Sequence, residues 1–234
     1  MSKPSLFIAI PTRGQLDYEF LGCLQSFKKL ASEVFDVQEG YTYGCSLIDH
    51  ARSHLATIAY IAKQDVCLWL DDDMLFEPDE VLRMCEEARR TRCVIGAPSM
   101  TKRVGGELNV QWPPGQTQAK FFELGSVQQV RSIGTAVMAV PWCIYDAIAG
   151  MLPDCKGPDG KPIYPFFLPM IVDGFYCGED KSFCVRVNAA GFRVMCDTRM
   201  RVYHKGTYPY ALEDSGREHV HYRKLTINLV HPKT

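Results

Sequence analysis

Apolar residues recur along the first hundred positions in two alternating rhythms. Leu6-Phe7-Ile8-Ala9-Ile10 is an unbroken apolar run closed by Pro11, the pattern of a short strand buried on both faces. A helical stretch follows over about residues 17–32, then a second strand over 34–38, and Gly40-Tyr41-Thr42-Tyr43-Gly44 reads as a loop. Leu47, Ile48, Ala51, Leu55, Ile58, Ala59 and Ala62 share one face at helical spacing. Ser46 and Asp49 have the form of a capping box for that helix, with Asp in place of Glu. Residues 66–70 make a third apolar strand that ends in three aspartates. Pro78 opens a further helix with Asp79 and Glu80 in its first turn and Arg89 and Arg90 near its end, charges that complement the helix dipole. Residues 93–97 supply a fourth strand.

This alternation predicts an α/β fold with a mainly parallel central sheet flanked by helices. In such sheets ligands bind beyond the carboxyl ends of the strands, where Pro11-Thr12-Arg13 and Asp71-Asp72-Asp73 both stand. The second half is less regular. Residues 98–131 mix Gly, Pro and polar residues around Trp112-Pro113-Pro114-Gly115, and 150–175 are also loop-rich. A last helix is expected from near Asp180 to Gly191, followed by strands over 192–196 and 201–204. The chain reads as one domain: a first half over about 1–100, a second over about 101–212, and a tail over 213–234. Within the tail, the stretch from Gly216 to Thr234, with His219, His221, Arg223 and Lys224, is expected to be a helix covering the site or an oligomer contact.

Composition narrows the function classes. The 47% hydrophobic and 23% charged residues have the balance of a globular protein. A net charge of −1 lacks the broad basic field of a non-specific nucleic-acid binder, so a nucleic-acid acceptor is not supported. The 10 cysteines form no CxxC pair and read as reduced, mostly buried thiols. Met1-Ser2-Lys3-Pro4 runs directly into an apolar strand, without the apolar core of a signal peptide. No apolar stretch nears the roughly 20 residues of a membrane helix. A soluble cytoplasmic protein is expected.

The acids carry the candidate chemistry. Carboxylates at the tip of a buried strand are costly unless paired or hydrogen-bonded, and a hard divalent metal gripping a diphosphate is a fitting partner for Asp71, Asp72 and Asp73. Strand alternation would point Asp71 and Asp73 one way and Asp72 the other. The competing reading is a charged turn. In Gly178-Glu179-Asp180, Asp180 is either a helix cap, worth about 1 kcal/mol, or a base that removes a proton from an acceptor hydroxyl. His204, in Val202-Tyr203-His204-Lys205-Gly206, is either a structural residue or a metal ligand. Arg52 is either a solvated surface residue or a contact to nucleotide or phosphate. No GxxxxGK[ST], GxSxG or HExxH is present. Asp71-x-Asp73 does not continue as a calcium loop, because Leu75 takes the next ligand position and Phe76 the glycine position.

Taken together and in order, Ile8-Ala9-Ile10-Pro11-Thr12-Arg13, Ala51-Arg52-Ser53, Leu68-Trp69-Leu70-Asp71-Asp72-Asp73, Gly178-Glu179-Asp180 and Val202-Tyr203-His204-Lys205-Gly206 resemble the GT-A glycosyltransferases, especially the family 2-like group. The resemblance spans about residues 5–208. It implies a GT-A fold in which Pro11, Thr12 and Arg13 face the nucleotide. Arg52 matches the arginine of a donor-site "ARN" pattern, with Ser53 in place of Asn. Asp71 and Asp73 match a DxD pair, Asp73 in metal contact and Asp71 near ribose or metal, with Asp72 between them in the donor site. Glu179-Asp180 resembles an "ED" motif whose Asp180 is the base of an inverting enzyme, and His204 resembles a late histidine that completes metal coordination. Gly134-Thr135-Ala136 resembles a segment shaping the acceptor side. The implied cofactor is Mn²⁺ or Mg²⁺, and the implied donor is a nucleotide-diphosphate sugar, UDP-sugar favoured; the acceptor and the oligomeric state stay open. The rivals are a metal-dependent phosphohydrolase and an inactive nucleotide-sugar-binding module.

Overall fold

The computed structural model describes residues 2–102, 105–157, 159–206, 208–215 and 224–228. Strand β1 (Ser5–Thr12) is buried from Leu6 onward, and Asp17 then caps helix α1 (Tyr18–Ala31) by accepting from the Glu19 and Phe20 amides. Pro11 does not close β1. Its partner β3 (Val66–Leu70) pairs only with Leu6–Ala9, so Pro11 lies where β1 has β2 (Asp36–Tyr43) as its one paired neighbour, a position that tolerates a missing N–H. Residues 40–43 of the expected loop are instead the second half of β2, in parallel register with β1 as far as Thr12 opposite Tyr43, and only Gly44, at φ 64°, lies in a bend beyond it. The template strand overrides the turn-like composition.

Helix α2 (Ile48–Ile61) starts at Leu47 with no side-chain cap, so the Ser46 capping box does not form. Its buried face is also rotated from the expected stripe. Ala51, Arg52, Leu55, Ala56 and Ala59 are buried, whereas Leu47, Ile48 and Ile58 are exposed. After β3 come β4 (Met74–Phe76), α3 (Pro78–Thr91), with Pro78 in its first turn and Arg92 in a left-handed C-cap, and β5 (Val94–Gly96). The irregular second half contains β6 (Val110–Gln111), β7 (Gln118–Phe122), β8 (Val127–Val130), β9 (Ser132–Ile133) and β10 (Val137–Pro141). Helix α4 (Trp142–Ala149) follows, then a hairpin of β11 (Met170–Val172) and β12 (Phe175–Cys177), helix α5 (Glu179–Ala189), β13 (Val194–Asp197), β14 (Val202–Lys205) and β15 (Pro209–Tyr210). Within the tail, residues 224–228 form strand β16 (Lys224–Asn228) against β7, not a helix; His219, His221 and Arg223 lie outside the described residues.

The central sheet has the order β2-β1-β3-β10-β5-β13-β8. Strands β2, β1, β3, β5 and β13 run one way, and β10 and β8 run against them, so the expected mainly parallel sheet is present. Side chains alternate cleanly across β3. Cys67 and Trp69 join α2, α4 and α5 on one face, while Val66, Leu68 and Leu70 join α1 and α3 on the other. Each fully buried Leu or Val contributes about 1.5–3 kcal/mol relative to exposure. This two-sided burial makes β3 the rigid base from which the aspartates project. A β4-β14-β15 sheet sits beside the end of β3.

Gly40 shows how tightly β2 is packed on this layer. A Cβ there would lie 2.4 Å from Phe7 Cζ and 3.2 Å from Leu55 Cδ2. Gly40→Ala should therefore destabilise the protein by about 1–3 kcal/mol through overpacking, read as a lowered urea midpoint with unchanged m-value. Equal midpoints would contradict this packing.

Candidate functional site

The strand end does not carry the aspartates by strand alternation. β3 stops at Leu70, and Asp71-Asp72-Asp73 is the turn into β4, closed by the Met74 amide donating to the Asp71 carbonyl at 3.2 Å. The Asp71 amide in turn donates to the Ala136 carbonyl just before β10, at 2.9 Å. A turn sends its side chains in divergent directions, so Asp71 and Asp73 take different partners. Asp72 is half-buried between them.

Asp71 faces Arg52. The arginine is 4% exposed in the first turns of α2, and its Nη2 donates to both Asp71 oxygens at 3.0 and 3.1 Å. Its Nη1 donates to Glu179 Oε1 at 2.7 Å and to Asp180 Oδ1 at 2.5 Å. The Thr135 hydroxyl, itself buried, donates to the same Asp180 oxygen. One guanidinium thus joins residues 71, 179 and 180, and the surface reading of Arg52 is excluded. Both terminal nitrogens are taken by carboxylates, while Nε is buried without a hydrogen-bond partner. Glu179 and Asp180 occupy the first turn of α5, where the helix dipole favours negative charge. Gly178 at its N-cap makes no side-chain bond, and Asp180 is not a cap.

Three buried hydroxyls hold these elements together. Ser53 Oγ, beside Arg52, accepts from the Phe167 amide at 3.2 Å, and Thr57 Oγ1 accepts from the Tyr164 amide at 2.9 Å. Ser182 Oγ accepts from the Met170 amide and donates to the Cys177 carbonyl, both at 3.0 Å, pinning the β11–β12 hairpin to α5.

Asp73 faces the other way. β14 runs antiparallel to β4 with His204 opposite Met74, and the Lys205 amide donates to the Asp73 carbonyl at 2.7 Å. This register sets His204 Nε2 3.4 Å from Asp73 Oδ1. His204 Nδ1 is 2.7 Å from the Met100 carbonyl, which can only accept, so that nitrogen carries the proton. Asp73 Oδ2 is held by Lys102 Nζ at 2.5 Å, while Oδ1 is buried with no aligned hydrogen bond. Lys102 comes from the 98–131 stretch, which lacks a recognisable motif and was not expected at the site.

The electrostatics separate the two aspartates. Burial raises the Asp71 carboxyl, as do the charges of Asp180 and Asp73, and together they outweigh Arg52. Glu179 is raised by burial and by Asp180. For Asp73, burial also pushes upward, but His204 and Lys102 outweigh it and hold the carboxyl below its ordinary value. Burial pushes His204 down, yet Asp73 and the Met100 carbonyl raise it above the usual imidazole value.

These features test the fit of a divalent metal. With Nδ1 protonated, a neutral His204 directs its Nε2 lone pair toward the orphaned Asp73 oxygen, and that arrangement calls for a positive centre: a proton or a metal ion. An imidazole nitrogen and a carboxylate oxygen suit Mn²⁺ or Mg²⁺, which take further ligands from substrate phosphates. Among the described residues no three His, Cys, Asp or Glu side chains converge as a metal-ligating group. The set Asp71, Asp73 and His204 therefore resolves into a fitting pair, Asp73 and His204, with Asp71 turned to Arg52. Pro11 and Thr12 end β1 at the same sheet edge, buried, while Arg13 is exposed beyond them; neither Thr12 nor Arg13 has a hydrogen bond to the acid cluster among the described residues.

Comparison with known proteins gives a fold likeness. The chain is similar over 97% of its length, and 100% of the other's, to the crystal structure of A197 from STIV, with a TM-score of 0.55 and 16% identity, which shows a shared fold. It also aligns with UDP-glucose pyrophosphorylase from Acinetobacter baumanii (TM-score 0.42, 10% identity, 86% of this chain and 72% of that one). A third match is residues 1–349 of S. aureus TarS in complex with UDP-GlcNAc (TM-score 0.43, 8% identity, 83% and 56%). No protein-family model and no curated protein sequence matches. Among the described residues no helix is long and apolar enough to cross a membrane.

Arg52→Met would strand three carboxylates without their cation. It should cost about 3–5 kcal/mol near neutral pH, as does breaking a buried ion pair. Asp71 and Glu179 already have folded pKa values above their unfolded ones, so each contributes most below its unfolded pKa and loses that contribution as pH rises through the folded value. The stability gap between variant and wild type should therefore narrow from pH 7.5 to pH 5 in chemical denaturation. A gap that widens on acidification would contradict the cluster.

Proposed function

We propose that this protein is a metal-dependent glycosyltransferase that moves a sugar from a nucleotide-diphosphate sugar, a UDP-sugar in the favoured case, to an acceptor hydroxyl with inversion. The observation that carries the reading is the convergence at one sheet edge of Asp71-Asp72-Asp73, Arg52, Glu179-Asp180 and His204, which come from four separate stretches of chain. Two cations, Arg52 and Lys102, stand among four carboxylates, Asp71, Asp73, Glu179 and Asp180. That surplus of negative charge repels a bare diphosphate and favours one that arrives with a divalent cation.

Asp73 and His204 would hold Mn²⁺ or Mg²⁺, which supplies positive charge to the departing nucleoside diphosphate. Pro11, Thr12 and Arg13, at the same strand ends, are assigned to the nucleotide. Asp72, half-buried in the turn, is assigned to the donor side with Asp71. Arg52 acts as a positioning residue: it fixes Asp71 on the donor side and Glu179 and Asp180 on the acceptor side within one guanidinium's reach. Asp180 accepts two hydrogen bonds on Oδ1 and none on Oδ2 among the described residues, so Oδ2 is the oxygen available to take an acceptor proton. Glu179 shares its arginine nitrogen and keeps local negative charge on the same helix end.

Thermal-shift titration with UDP, with and without Mn²⁺, tests the reading. Ligand binding to the folded state raises its stability by mass action, so Mn²⁺ and UDP together should give a shift that Asp73→Ala abolishes. An equal shift in that variant would remove the metal assignment. Asp180→Asn should retain this shift but lower UDP release from UDP-glucose by about 10²–10⁴, the size of a lost general base. Rapid hydrolysis of a phosphomonoester by the wild type would instead favour a phosphohydrolase.

A further inference from the structure

Lys102 is a site cation with no counterpart in the motifs, and its geometry is that of an arm on a fixed base. The backbone around it is anchored: the Thr101 amide donates to the Glu107 carbonyl at 3.1 Å, the Asn109 amide donates to the Ser99 carbonyl at 2.9 Å, and Met100 is bridged to Leu108 and almost fully buried. The same segment supplies the Met100 carbonyl that fixes the His204 ring. From that base the lysine stem crosses Gly206. A Cβ at position 206 would lie 3.4 Å from Lys102 Cδ, an ordinary contact, and 2.9 Å from the Tyr210 ring, so the stem lies against the Gly206 backbone beside that ring. The ammonium ends 2.5 Å from Asp73 Oδ2, in a pair about one-third exposed on each side. It thus occupies one oxygen of the carboxylate whose other oxygen faces His204.

We propose that Lys102 is an exchangeable counterion: it neutralises Asp73 while the site is empty, yields that oxygen to an arriving divalent cation, and passes to the diphosphate that the cation brings. The inference rests on the metal-dependent reading above and concerns the order of charges within it. A lysine suits this exchange because its ammonium is a point charge on a flexible four-carbon stem, without the fixed two-pronged geometry that would lock an arginine to a carboxylate. Without Lys102, Asp73 would carry an uncompensated charge beside Asp71 in the empty site. With it, cation binding in the absence of nucleotide is disfavoured, and binding of cation and diphosphate becomes mutually reinforcing.

Calorimetric titration of the full chain tests the exchange, first with MnCl₂ alone and then with UDP at saturating Mn²⁺. Lys102→Met should bind Mn²⁺ alone about tenfold more tightly, and UDP with Mn²⁺ about tenfold more weakly, the order of one charge-assisted hydrogen bond gained or lost. Lys102→Arg keeps the charge but holds it on Asp73 with two prongs, so it should bind Mn²⁺ alone no more tightly than the wild type and should not restore UDP binding to the wild-type value. Lys205→Met removes the same charge next to His204, but from a side chain paired to Asp17 and Glu19, and should change neither affinity more than about twofold, as expected of a screened charge off the site. Unchanged Mn²⁺ affinity in Lys102→Met, an equal tightening in Lys205→Met, or unweakened UDP binding in Lys102→Met each overturns the exchange. Absence of Mn²⁺ uptake by the wild type even with UDP present, together with none by Lys102→Met, overturns the metal reading itself and the exchange with it, so the two failures are told apart.

Discussion

A single buried guanidinium, that of Arg52, sets the geometry around which the candidate site is arranged. It sits almost without solvent contact in α2 and offers its two terminal nitrogens to Asp71, Glu179 and Asp180. Three carboxylates this close repel one another strongly when partly desolvated, and only a cation between them makes the arrangement tolerable. The same cation ties the end of β3 to the start of α5 across more than a hundred residues of chain. A planar, five-donor group can satisfy several carboxylate oxygens at once in a way a lysine cannot. The Thr135 hydroxyl completes the arrangement from the residues just before β10.

The two aspartates of the turn have opposite electrostatic settings for the same structural reason. A turn directs Asp71 inward to Arg52 and Asp73 outward to His204 and Lys102, so one carboxyl is raised and the other depressed although they stand two residues apart. The first belongs to a cluster held by one guanidinium, which donates to both of its oxygens. The second has one oxygen unpaired and the other held by a partly exposed lysine. Structural rigidity and ligand capacity are thereby divided between neighbouring residues, and the antiparallel register of β14 on β4 decides which side receives the histidine.

Support for this site comes from polar contacts that composition does not advertise. Ser53 and Thr57 fasten the 164–167 segment to α2, and Ser182 fastens the β11–β12 hairpin to α5. Beneath them, β3 is buried on both faces, so the turn it carries cannot shift without disturbing both layers of the core.

Much of this was legible before any coordinates. Unbroken apolar runs specify β1 and β3 because burial on both faces admits no polar residue, and Pro78 with its flanking charges specifies α3 because capping and dipole effects act within one or two turns. Such local interactions need only neighbours in sequence. Where they competed with tertiary contacts they lost. Gly40–Gly44 looks like a turn, but the β1 ladder and the close approach of Phe7 make residues 40–43 a strand; Ser46 looks like a cap, but the helix starts two residues later. The acid motifs, Arg52 and His204 were recognisable as residues, yet which carboxylate meets which cation was not, because ion pairing depends on distances between segments as far apart as residues 52 and 180. Lys102 was invisible for the same reason: a lone lysine in an irregular stretch carries no local signature, and only the packing of that stretch across β14 brings its charge to Asp73. Sequence alone determined the elements set by local pattern, such as β1, β3 and α3, and the inventory of charges; the tertiary structure decided the remaining elements and the charges' partners, since electrostatic energy depends on separation in space and burial, neither of which is encoded locally.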